Sequence, residues 1–99
     1  MAKFTYYKNP SAKGYLLDVQ ADLLSSLNTR LVVPLMTREI APLPAARLNP
    51  VFVIESEPYV MVTQFMAAVP IPLLKEPSGT LEAKADDISN ALDMLLYGF

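Results

Sequence analysis

Prolines divide the first two-thirds of this chain into short pieces. The sequence holds nine prolines in 99 residues, and a proline cannot donate a hydrogen bond to a β-ladder. Pro34, Pro70 and Pro72 lie within strand-like runs, so we expect each of them at a sheet edge or a bulge. Because Pro70 and Pro72 are two residues apart, their side of the strand should face outward. This pattern favours a small, strongly bent sheet or barrel over a flat sandwich.

Six segments have the apolar, aromatic or β-branched composition that is typical of strands. They are KFTYYK (3–8), YLLDVQ (15–20), RLVVPLM (30–36), VFVI (51–54), YVMVTQF (59–65) and VPIPLL (69–74). The fifth is apolar on both sides, with Phe65 expected on the same side as Tyr59 and Met61, which predicts burial on both faces. The intervening segments predict a loop at 8–14, a turn or short helical piece at 21–29, a long connection at 38–50 and a hairpin turn at 55–58. Strands are therefore expected over about 3–74.

The hydrophobic period changes after Thr80. Apolar residues then recur at the spacing of an amphipathic helix over about 80–97, namely Ile88, Ala91, Leu92, Leu95 and Leu96. Asp86 and Asp87 suit the positive end of the helix dipole, and Gly98 suits a helix C-terminus. At roughly 100° per residue, Tyr97 falls beside Asn90 and Asp93 on the face opposite the apolar stripe. The sequence thus predicts that the Tyr97 ring points outward.

Composition bounds the class of protein. Ninety-nine residues predict one domain, 1–99, yet 53% of them are hydrophobic and only 18% are charged. This is more apolar material than a small core hides, which favours burial against a second copy of the chain. A net charge of −2 argues against a nucleic-acid-binding surface. No apolar run is long enough to span a membrane and no signal peptide opens the chain, so a cytoplasmic location is expected.

The residue inventory argues against catalysis. Histidine and cysteine are absent, which excludes Ser–His–Asp and Cys–His nucleophile systems. No glycine-rich phosphate loop is present, and the adjacent Asp86 and Asp87 point about 100° apart on a helix, so neither a cofactor nor a metal site is expected. Asp18, inside an apolar stretch, is interpreted as a hydrogen-bonded structural carboxylate. The pattern indicates a binding protein.

The end of the chain, ALDMLLYGF (91–99), leaves two interpretations open. Tyr97 is either an ordinary surface tyrosine with Phe99 folded back as a plug, or an aromatic anchor that protrudes beside the flexible Gly98. Tyrosine is common in interface hot spots because it combines a large ring with a polar tip. Helix geometry alone does not separate these interpretations.

Four motifs, taken together, resemble the CcdB family of gyrase-poisoning toxins from toxin–antitoxin pairs. They are LLDVQADLL (16–24), NTRLVVPL (28–35), MVTQFMAAVP (61–70) and ALDMLLYGF (91–99), in the order and spacing of that family. The resemblance implies a homodimer of small SH3-like barrel domains, mainly β, each with one C-terminal helix. It implies a toxin that is not an enzyme and that binds the A subunit of DNA gyrase, trapping the gyrase–DNA cleavage complex. An antitoxin segment that is disordered until bound would release it.

Carried over by motif, the resemblance assigns gyrase contact to Tyr97, Gly98 and Phe99, to Leu23 and Leu24, and to Asn90. The family's usual ending is Trp-Gly-Ile, so Tyr97 and Phe99 depart from it. Two alternatives stay open at this point. One is an endoribonuclease toxin of the MazF and Kid type, which would have to use Arg30 and Arg38 with Asp18 or Asp22. The other is a weakened relative that only binds antitoxin.

Overall fold

The computed structural model describes residues 2–98 and consists of β-strands followed by one helix. The strands are β1 Thr5–Lys8, β2 Gly14–Asp18, β3 Thr29–Met36, β4 Val51–Ile54, β5 Glu57–Met61, β6 Ala67–Pro70 and β7 Pro77–Thr80. The helix, α1, spans Ala85–Tyr97. Single 3-10 turns lie at Asp22–Leu24, Thr63–Phe65, Ile71–Leu73 and Glu82–Lys84. The prediction of a mainly β chain with one C-terminal helix is confirmed.

The strands form one antiparallel, strongly curled sheet. Six of them follow the order β4-β5-β3-β2-β1-β7, and β6 pairs with β3 beside that path. The long strand β3 is the centre: it pairs with β2 on one side, and on its other side with β6 at its start and β5 at its end. Strand β3 thus joins both partners to the rest of the sheet, which is curled into a half-barrel.

Pro34 marks the point where β3 changes partners. On one side of β3, Pro34 is paired with Leu16 of β2. On the other side, the Pro34 carbonyl accepts a hydrogen bond from Val62 N–H at 3.0 Å. The missing N–H of Pro34 therefore faces the gap between β6, which ends its pairing at Val32, and β5, which begins at Leu35. The expectation of a sheet edge or a bulge was wrong for Pro34: β3 lies inside the sheet and its register with β2 is unbroken at Pro34. A gap in the neighbouring ladder tolerates proline as well as an edge does.

The two faces of the sheet each hold an apolar cluster. The larger cluster lies against α1 and combines Phe4, Tyr15, Leu17, Val19, Val33, Leu35, Phe52, Ile54, Tyr59, Met61, Leu81, Ile88 and Ala91. The smaller one, on the other face, contains Tyr7, Leu16, Val32 and Leu74. Leu16 and Leu17 point into different clusters because successive side chains of a strand alternate between faces.

Three strand predictions need correction. The segment 59–65 ends its strand at Met61 and continues into a 3-10 turn, so Phe65 is exposed although Tyr59 to Val62 are buried as expected. In the segment 69–74 the strand ends at Pro70, and Pro72 belongs to a 3-10 turn. Strand β7 was not predicted, because PSGT carries no apolar signal and extends only by pairing with β1.

The helix begins later than predicted and ends where predicted. Residues up to Thr80 stay extended because Thr80 pairs with Thr5 in β1, and α1 then begins at Ala85 instead of near residue 80. Asp86 and Asp87 lie in the first turn, as the dipole argument requires. The apolar side chains of α1 become less buried toward its C-terminus: Ile88 and Ala91 are fully buried, whereas Leu96 is 60% exposed. Leu96 was expected in the core, but the last turn of α1 extends past the apolar cluster.

Candidate functional site

The last turn of α1 presents two large side chains to solvent. Tyr97 is 68% exposed and its neighbour Leu96 is 60% exposed. The helix ends at Gly98, whose left-handed φ of 81° is costly for any residue with a Cβ, and whose N–H donates to the Met94 carbonyl at 3.1 Å. The outward position predicted for Tyr97 is therefore what the backbone produces, and the last turn does not unwind. Residues 96 and 97 are called the helix tip below.

The other residues assigned to this end lie on the same helix face or beyond the described chain. Asn90 is exposed and lies two turns before Tyr97. Asp86 and Asp93, on the same face of the helix, are also exposed. Tyr97 lies seven positions after Asn90, which places them about 10 Å apart along one face. Phe99 lies outside the described residues.

A second apolar surface is the loop after β2. Leu23 is 94% exposed, Leu24 49% and Leu27 47%, and the first two belong to the 3-10 turn Asp22–Leu24. Exposure of three leucines in five residues has no folding benefit, because each forgoes burial worth roughly 1.5–3 kcal/mol. The predicted site residues Leu23 and Leu24 are therefore available for contact with another molecule.

Hydrogen bonds from both sides fix this loop. The side chain of Gln20, itself buried, donates from Nε2 to the Leu24 carbonyl at 2.9 Å and accepts from Leu31 N–H through Oε1 at 3.0 Å. On the other side, Asp22 Oδ1 accepts from the backbone N–H of Lys3 at 2.8 Å. The leucines thus stand on a backbone that is anchored to β3 and to the N-terminal segment.

A buried ion pair lies directly before the loop. Asp18 Oδ2 accepts from Arg30 Nε at 2.8 Å and lies 2.7 Å from Nη2, and both side chains are fully buried. Asp18 Oδ1 also accepts from Gln20 N–H at 3.0 Å, which orients the residue that holds the loop. The interpretation of Asp18 as a structural carboxylate is confirmed. Since Asp18 and Arg30 are sealed from solvent, this pair offers no groups to an RNA substrate.

The large exposed side chains of the helix tip and of the loop after β2 are a tyrosine and leucines. Among residues 2–98 no group of three or more carboxylates is arranged to hold a metal ion. Leu27, Leu96 and the positioning side chain of Gln20 were not anticipated from the sequence. Leu96 was hidden by its place on the apolar stripe, and only the length of the helix relative to the sheet reveals it.

The fold and these surfaces define a small curled-sheet β domain with a C-terminal helix that extends beyond its own core. The chain belongs to the CcdB family: the family model described as CcdB protein matches residues 3–98, so the match includes every assigned site residue except Phe99. Membership in this family supports a toxin of a toxin–antitoxin system. Within the described part of the chain, no helix has the length and apolar character to cross a membrane.

Proposed function

We propose that this toxin binds the A subunit of DNA gyrase and traps the gyrase–DNA cleavage complex by protein–protein contact, without catalysis of its own. The observation that carries the proposal is the exposed aromatic at the helix tip, in a chain that belongs to the CcdB family. Tyr97, Gly98 and Phe99, with Asn90, Leu23 and Leu24, are the proposed contact residues.

The helix tip supports this role energetically. Tyrosine is enriched among the few residues that dominate interface energies, and truncating such a residue costs about 2 kcal/mol or more. Leu96 is adjacent to Tyr97 and comparably exposed, so it adds apolar area to the same contact. Gly98 has a left-handed conformation, and apart from its chain neighbours no atom of the described residues lies within 4 Å of its Cβ position, so a partner can approach the backbone closely.

The remaining partners form part of the same proposal. The toxin acts as a homodimer, since large apolar side chains such as Phe65 and Leu73 stay exposed on the single chain. A cognate antitoxin, through a segment that is disordered until bound, releases the poisoned gyrase. The toxin acts in the cytoplasm, where its target is.

The experiment is expression in a gyrase-sensitive bacterium, with covalent gyrase–DNA complexes counted after lysis. Wild type should arrest growth and accumulate trapped complexes, whereas Tyr97→Ala should lose both effects while it remains folded. Leu43→Ala is the matched control: Leu43 is 94% exposed, but it lies in the long connection and not in the proposed contact. It should stay toxic.

Two results would count against the proposal. If Tyr97→Ala arrested growth as strongly as wild type, the helix tip would not be part of the gyrase contact. If growth arrest came with cleaved RNA and without trapped complexes, gyrase would not be the target.

A further inference from the structure

We propose that the free edge of β4, with the groove beside it, docks an extended peptide segment that carries aliphatic side chains and a carboxylate. The surface consists of Val51, Val53, Arg38 and the segment 41–44, and is called the β4 edge surface below. It shares no residue with the proposed gyrase contact, so it does not depend on the proposed function.

The backbone of β4 has one unused side. Met61 N–H donates to the Pro50 carbonyl at 2.9 Å, and the register runs from Val51 opposite Val60 to Ile54 opposite Glu57. Since antiparallel ladders alternate, the N–H and C=O groups of Val51 and Val53 point away from β5. Within residues 2–98, β4 pairs with β5 alone. Four backbone groups therefore face outward at the spacing of a strand.

The side chains at this edge are aliphatic. Val53 is 69% exposed and Val51 38% exposed, while Phe52 and Ile54 point into the core. Natural sheets commonly protect an edge with a lysine, a proline or a covering element. The strand VFVI has no charge and no proline of its own. Such an edge suits the addition of a peptide strand, in which backbone hydrogen bonds supply affinity and side-chain pockets supply specificity.

A groove of about 480 Å³ lies beside the edge. Its walls are the segment 41–44, which includes Leu43, and the paired strand residues Val51 and Val60. Because Val51 belongs to both the groove and the edge, a peptide paired with β4 places one side chain next to the groove. The lining favours an aliphatic side chain there.

The positive charge of Arg38 beside the groove favours a bound segment that carries a carboxylate. Arg38 is the one charged residue in its lining, and it is exposed. The salt bridges among residues 2–98 are Lys13–Glu57 and Arg30–Asp18, so Arg38 has no carboxylate partner there. A carboxylate on the bound segment would supply that partner. A four-residue edge with one exposed arginine beside it matches a short extended peptide that has aliphatic side chains and one carboxylate.

The test uses the full chain and two capped pentapeptides, Val-Glu-Val-Leu-Val and Val-Lys-Val-Leu-Val. Amide exchange and nitrogen–proton NMR shifts are measured during titration. The acidic peptide should slow exchange at the amides of Val51 and Val53 and shift the signals of Arg38. The lysine peptide should bind more weakly.

Two pairs of variants measure separately how much the backbone edge and Arg38 contribute to peptide binding. Val53→Pro removes an outward N–H that the β4–β5 ladder does not use, and should weaken binding roughly two- to tenfold, whereas Val53→Thr should not. Arg38→Ala should weaken binding about two- to fivefold, the value of an exposed ion pair. Lys84→Ala, which removes an exposed charge elsewhere, should not.

Three outcomes would overturn the proposal. The first is unchanged exchange at Val51 and Val53 with millimolar acidic peptide. The second is equal binding of both peptides. The third is protection of these amides that rises with protein concentration alone, which would assign the edge to a second copy of the chain.

Discussion

Asp18 and Arg30 form an ion pair that is fully removed from water. Desolvation makes such a pair expensive to form, but removing one charge leaves the other buried and uncompensated. Asp18→Asn keeps an acceptor for Gln20 N–H, but it removes the negative charge and replaces Oδ2, the acceptor for Arg30, with an amide NH2 group. We expect it to lower the free energy of unfolding by about 3–5 kcal/mol, measured by urea denaturation.

The comparison is Lys13→Ala, which breaks the exposed pair between Lys13 and Glu57, 3.4 Å apart. This pair is worth about 0–1 kcal/mol, because solvent screens it. Similar losses in the two variants would contradict the account of the buried pair.

Tyr97 offers a test in which the variant gains activity. Tryptophan has a larger ring than tyrosine and is at least as common in interface hot spots. If the helix tip contacts gyrase, Tyr97→Trp should trap gyrase–DNA complexes at a lower toxin concentration than wild type. A titration of purified toxin into a gyrase cleavage assay measures this. An unchanged or higher concentration requirement would argue against the ring as an anchor.

Tyr59 links stability to alkaline pH. Burial, followed by the nearby Glu57 carboxylate, raises the pKa of Tyr59 from 10.0 to about 12. The folded state therefore holds the proton more tightly than the unfolded state, so this contribution to stability is complete below pH 10 and is lost between pH 10 and about 12.

Tyr59→Phe, which lacks the titrating hydroxyl, should consequently lose less melting temperature than wild type between pH 9 and pH 12. Tyr6 and Tyr7 also have raised pKa values through burial, so some alkaline loss should persist in the variant. Identical pH profiles for the two proteins would refute the assignment to Tyr59.

Among the elements, the β4–β5 hairpin carries backbone strain. Its two-residue turn places Glu55 and Ser56 at φ of 51° and 68°, the left-handed region that favours glycine or asparagine. Ser56→Gly should therefore raise the free energy of unfolding by about 0.5–1 kcal/mol, measured by thermal or urea denaturation.

Ser89→Gly is the opposite case. Ser89 is exposed inside α1, where glycine costs helix stability by up to about 0.5 kcal/mol relative to serine. The two serine-to-glycine changes should thus have opposite signs. A loss of stability in both would show that the turn is not strained at Ser56.

The elements also show how far local sequence determines this fold. Helix α1 was predictable because its apolar period, acidic first turn and terminal glycine all agree. Strand β7 was not, because its conformation depends on pairing with β1 and on Gly79, whose missing Cβ leaves room for the Tyr6 hydroxyl. The position of Pro34 in a central strand likewise depends on a gap between two distant strands.

Some features of the candidate site could likewise be predicted from local sequence, and others could not. The outward direction of Tyr97 follows from helix geometry alone. The exposure of Leu96 does not, because it depends on where the sheet stops supporting the helix. The anchoring of Leu24 by Gln20 joins residues whose proximity only the fold creates.

For the molecule as a whole, the composition and the exposed side chains lead to one expectation about assembly. A chain of 10.9 kDa that leaves Phe65 and Leu73 in solvent should gain by pairing with a second copy. Sedimentation equilibrium at micromolar concentration should therefore give about twice 10.9 kDa. A monomer under those conditions would contradict the homodimer.

The most direct test of the central claim is a photo-crosslink from the helix tip to gyrase. A photoreactive phenylalanine analogue is placed at position 97, or at position 43 as the exposed control, and each toxin is irradiated with gyrase and DNA. We expect position 97 to crosslink to the gyrase A subunit and position 43 not to. Trapped cleavage complexes without a crosslink from position 97 would contradict this expectation.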